Sequence, residues 1–182
     1  MFERVYVVGL LLAIAGAVSA NSSIPSAPPT LRKTPPVFSV QDTLPSPPHE
    51  VGDLRFRDVF ELPVGPRGLE ATQRLRELDG RRVRLVGYMV QADVAGGFIL
   101  SPLPAALGHA DEGLADDLPP SALLVALPRA TELRSGHMPG LIQVTGLLRV
   151  GNAENTSVPG RVFPARIELD SRLEKALVKA NK

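Results

Sequence analysis

The chain has 182 residues with no Cys, no Trp, 18 Pro and 16 Gly, and hydrophobic residues make up 44% against 21% charged. That length fits one domain with appendages, and the apolar content is enough for a packed core. The absence of Cys excludes a disulfide framework, thiolate catalysis, iron–sulfur clusters and Cys-based zinc sites, while a net charge of +1 is no electrostatic footprint for duplex nucleic acid.

The first 20 residues read as a signal peptide. Arg4, offset by Glu3, precedes an apolar run over Val7–Val18 that ends in Val18-Ser19-Ala20. A compact apolar residue two positions before a small one fits a signal-peptidase site after Ala20, giving a mature chain that begins at Asn21. The apolar stretch is shorter than the ~20 residues needed to span a bilayer. Membrane attachment is therefore expected only if this segment stays uncleaved. With no Cys at the cleavage point, a lipid anchor is excluded. A disulfide-free exported chain points to a bacterial periplasm, which makes the Asn-x-Ser matches at Asn21 and Asn155 coincidental.

Residues 21–50 hold eight of the prolines, with Ser and Thr between them. This composition predicts a disordered, partly polyproline linker. Residues 51–170 carry the folded domain and 171–182 a basic helical tail. Leu54–Arg57 alternates and suits a short strand or an extended entry. Gly68–Leu78 spaces Leu69, Leu75 and Leu78 as an amphipathic helix, ended by Asp79-Gly80.

Five strands are predicted after that helix. Arg82–Gln91 puts Val83, Leu85 and Met89 on one face, with Gly87 at mid-strand. Gly97–Leu103 follows a turn at Ala95-Gly96-Gly97. Ser121–Pro128 is apolar on both faces and therefore central. Leu141–Val150 points Ile142, Val144, Leu148 and Val150 inward around Gly146. Arg161–Asp170 alternates Phe163, Ala165, Ile167 and Leu169 with charged residues. Pro164 cannot donate to a ladder, so this strand is expected at an edge or at a bulge. Ser171–Ala180 closes the chain as a short helix. Five strands with glycine inside the long ones predict a mainly β fold: a small five-stranded OB-like barrel with a short preceding helix.

The run Leu78-Asp79-Gly80-Arg81-Arg82-Val83-Arg84-Leu85-Val86-Gly87-Tyr88 resembles a family of small exported bacterial proteins of uncharacterised function. Its members read Leu-Asp-Gly-Lys-x-Val-x-Ile-x-Gly-Tyr after a helix. Ile142-Gln143-Val144-Thr145-Gly146-Leu147-Leu148 is similar to a later strand of that family. The resemblance covers Leu54–Asp170 loosely and implies an OB-like barrel in the cell envelope, not an activity. Many members carry a Cys and a His after the second strand that could bind a metal. Here that segment, Pro102–Pro120, has no Cys, so the thiol–metal role does not transfer.

Candidate chemistry is sparse. The loop after the second predicted strand holds His109, Asp111, Glu112, Asp116 and Asp117, a donor set suited to a divalent cation, though its spacing matches neither an EF-hand nor His-Glu-x-x-His. Ser101 with His109 and Asp111, or Ser135 with His137, suggest a hydrolase, yet no Gly-x-Ser-x-Gly elbow occurs. Gly65-Pro66-Arg67-Gly68 lacks the frame of a phosphate loop. OB barrels bind single strands on aromatic platforms, but Tyr88, Phe98 and Phe163 read as core and export removes the substrate, so no nucleic-acid partner is expected. Arg81, Arg82 and Arg84, with Arg74 and Arg76 near them, could meet an anionic ligand or partner. The sequence therefore favours a non-catalytic binding or accessory module of the envelope, its partner an envelope protein or a small ligand, with no cofactor. The alternative is a metal-binding protein or metal-dependent enzyme using loop 102–120.

Overall fold

The computed structural model describes residues 31, 33–40, 43–105 and 118–181. Among the described residues, alternating apolar positions fold into six strands: β1 (Gly52–Asp53), β2 (Arg82–Met89), β3 (Gly97–Ser101), β4 (Leu123–Ala126), β5 (Leu141–Ala153) and β6 (Phe163–Leu169). Two helices accompany them, α1 (Gln73–Glu77) before β2 and α2 (Ser171–Ala180) at the end. The strands run β2-β3-β4-β6-β5, and β5 pairs back onto β2, which closes a five-stranded barrel. The β4–β6 pair is parallel and the other barrel pairs are antiparallel. This is the OB-like barrel with a preceding helix that the strand pattern implied. β1 adds in parallel outside the ring, against the start of β2.

Inward-facing residues alternate along each strand and fill the barrel: Val83, Leu85 and Met89 from β2, Phe98 and Leu100 from β3, Leu123 and Val125 from β4, Ile142, Val144 and Leu148 from β5, Ala165, Ile167 and Leu169 from β6. Glycine appears where backbones approach closely. A Cβ on Gly146 would run into the Glu168 carbonyl oxygen and lie 2.8 Å from Ile167 Cγ2. On Gly87 it would sit 2.7 Å from both the Ser101 carbonyl oxygen and the Phe56 ring. No side chain fits at either position without movement of its neighbours.

Several boundaries differ from the sequence pattern. The helix expected over Gly68–Leu78 starts at Gln73, because the Thr72 hydroxyl accepts from Leu75 N at 3.0 Å as an N-cap. The residues before it form a hairpin-like excursion, with Phe60 bridged to Ala71 and Glu61 N donating to Glu70 O at 2.8 Å. Leu69 is consequently exposed rather than on a helix face. Leu54–Arg57 is not itself a strand: β1 lies just before it, and Phe56–Asp58 forms a 3-10 turn fastened by Arg55 N donating to Asp58 Oδ2. β6 is not an edge strand, since β4 and β5 flank it. Pro164 is tolerated because β5 bulges opposite it, between Val150 and Ala153, and the β4 pairing begins only at Arg166.

The described part of the proline-rich segment lies against the barrel. Phe38 is fully buried in the core, and its carbonyl accepts from Gln143 N at 2.8 Å. One large apolar side chain is enough to fix a strap whose composition alone resists helix and sheet. The basic C-terminal segment is likewise docked, through Leu173 and Leu177.

Candidate functional site

The turn Asp79-Gly80, with Gly80 at φ 69°, delivers the three candidate arginines to the start of β2. They part there. Arg82 forms an ion pair with Asp170, the residue that precedes α2. Its hydrogen bond to that carboxylate, and then the carboxylate's charge, raise the guanidinium pKa further. Arg84 is largely buried; Nε donates to Asp53 Oδ1 at 3.0 Å and Nη1 to the Pro45 carbonyl at 2.6 Å. It therefore ties both β1 and the strap to β2. Arg81 stays exposed with no ion pair among the described residues. Two of the three charges thus serve the fold, and the third is free.

The acidic set His109, Asp111, Glu112, Asp116 and Asp117 lies outside the described residues. Among the described residues, no cluster of His, Asp and Glu is placed to hold a metal ion. The serines have local partners. Ser101 Oγ accepts from Leu103 N at 3.2 Å, and the buried Ser135 Oγ donates to the Gly97 carbonyl at 3.1 Å. Among the described residues no hydrogen bond joins His137 to Ser135: the imidazole Nδ1 is buried without a partner there, and desolvation lowers its pKa.

The outer wall of β3 and β4 is the face on which OB barrels bind single strands. Here it is covered. Ile99 and Leu124, the alternate residues of those strands, belong to a second apolar cluster with Val90, Val94, Leu118, Val158 and Phe163. All five residues of β3 are buried, so the strand is packed on both faces. Polar bonds pin the cover in place. Asn155 Nδ2 donates to the Ala95 carbonyl and Ala95 N to Ser157 Oγ, both at 3.0 Å. Arg161 Nη2 donates to the Leu118 and Pro119 carbonyls, also at 3.0 Å, and its guanidinium carbon sits 5.9 Å from the centre of the Phe163 ring. Phe98 and Phe163 are core, as their spacing implied, whereas Tyr88 is only partly buried.

What the sequence pattern missed lies on α2. A groove of about 270 Å³ runs between this helix and the segment after β4, lined by Arg129, Ala130, Glu174, Lys175, Val178 and Lys179. Glu174 is only 3% exposed and accepts from Arg129 N at 2.7 Å, which holds the two walls together. Arg129, Lys175 and Lys179 are exposed and have no ion pair among the described residues. The available signal was the placing of Lys175, Val178 and Lys179 along one stripe of a helix that also carries the buried Leu173 and Leu177. The segment that supplies the opposite wall could not be found from sequence.

No family model and no curated protein matches the chain. Among solved structures, the crystal structure of a DUF3299 family protein from Pseudomonas aeruginosa PAO1 is similar, at 15% identity and a TM-score of 0.42, over 65% of this chain and 92% of that one. At that level of similarity nothing about binding or catalysis passes from one protein to the other.

Proposed function

We propose that the protein is an exported, non-catalytic binding or accessory module of the cell envelope, acting in the periplasm on an envelope protein or a small ligand. One observation carries this reading. The barrel interior and its β3–β4 wall are filled by apolar side chains, while cations with no ion pair among the described residues gather on the open groove beside α2. A surface of that kind suits recognition, because fixed charges around an apolar floor orient a partner that carries both features. Export is supported by the apolar run Val7–Val18 and the small residues up to Ala20. Arg81, exposed and with no ion pair among the described residues, is the member of the arginine cluster left to meet an anionic partner.

Cell fractionation combined with photo-crosslinking tests the proposal. A photoreactive residue at position 178 should yield discrete adducts in the periplasmic fraction, and one at position 149, on the exposed face of β5, should not. Accumulation of the protein in the cytoplasm, or equal labelling from both positions, would contradict it.

A further inference from the structure

Three features of the α2 groove set the chemistry of what it can hold. Its volume, about 270 Å³, lies just below the usual range for ligand sites, which favours a small ligand over a whole phospholipid. Its floor is apolar, from Ala130 and Val178, and the lysine and arginine stems extend that floor toward solvent. Its charge is net positive. Arg129, Lys175 and Lys179 oppose the single carboxylate of Glu174, which is buried and already accepts the Arg129 backbone N–H. An unpaired cation beside an apolar surface is satisfied by an anion carrying its own apolar group, since the head meets the charge while the tail displaces water from the floor.

We infer that this groove binds a small anionic amphiphile, with a carboxylate head at Arg129, Lys175 and Lys179 and a short alkyl chain on Ala130 and Val178. The inference rests on the protein being a binding module and adds the ligand class. Glu174 is a positioning residue in this arrangement: by accepting from Arg129 N it fixes the lip on which the Arg129 guanidinium stands. Extended acidic peptides fit less well, because three cations around so small a floor leave room for one head and one tail.

Titration of the isotopically labelled mature chain with octanoate, followed by amide chemical shifts, tests the site. The amides of residues 129, 175, 178 and 179 should shift saturably, with acetate and octyl glucoside each binding at least about tenfold more weakly. Exchanging Lys175→Glu and Lys179→Glu together alters only exposed side chains and should weaken octanoate by about tenfold or more, while Arg149→Ala leaves it unchanged. Octyl glucoside binding as well as octanoate, an acidic peptide binding better than octanoate, or no loss in the charge-reversed variant would overturn the inference. An exported protein that crosslinks to a partner yet shows no octanoate site would overturn this ligand class alone. A saturable octanoate site in a protein found in the cytoplasm would support the groove and sink the envelope reading.

Discussion

Gly146 faces backbone, and backbone cannot step aside as a side-chain end can. A methyl group there meets the Glu168 carbonyl, in the strand that β5 needs as its neighbour. Gly87 is crowded by the Ser101 carbonyl and by the Phe56 ring, and the ring has some freedom to move. Valine at either position should cost about 1–3 kcal/mol through overpacking, with Gly146→Val the worse of the two. Arg166→Lys, at a half-exposed ion pair with Glu168, should be near neutral. Denaturant melts check the series, and unchanged midpoints for both valine variants would contradict the close approach. His137 supplies a pH dependence at the same scale. Its folded pKa is depressed below the usual 6.5 by burial, so the unfolded chain binds the proton more readily. Stability from the neutral imidazole is complete above pH 6.5 and falls as pH drops below it, until the folded pKa is passed. His137→Gln should flatten the slope of melting temperature against pH in that window, and an identical slope would exclude His137 as its source.

The five barrel strands were legible because alternation marks a strand with one face on a core, and Leu123-Leu124-Val125 marked a strand buried on both. Their partners were not legible. That β4 lies parallel to β6 follows from closure of the ring and leaves no local trace, whereas Pro164 itself signalled the bulge it faces, one of the two outcomes expected for it. Phe38 was hidden for another reason: prolines dominate its neighbourhood, and only tertiary contact reveals one buried aromatic among them. The groove has the same origin, since its two walls are 45 residues apart at Arg129 and Glu174. Docking of α2 depends on Leu177, 2% exposed in the core. Leu177→Ala should cost about 2–5 kcal/mol and should weaken octanoate binding by loosening the helix wall. Retained binding in a variant that has lost this stability would show that the groove does not depend on α2 being docked.

Across the whole molecule, apolar side chains fill the barrel interior and its β3–β4 wall, so the proposed contact surface is placed outside the ring. Closure of the ring leaves the two-residue β1 as the only strand edge among the described residues, and the cover on β3 and β4 removes the wall on which a single strand would lie. Among the described residues, the groove at α2 and the exposed end of β2 at Arg81 stay open. Native mass spectrometry of the protein recovered from the cell envelope tests the proposal of an exported binding module without a catalytic metal. The predicted result is a mature chain beginning at Asn21, with no stoichiometric metal ion. A chain retaining Met1 in the cytoplasm, or a tightly held ion lost on combining His109→Ala with Asp111→Ala, would contradict it.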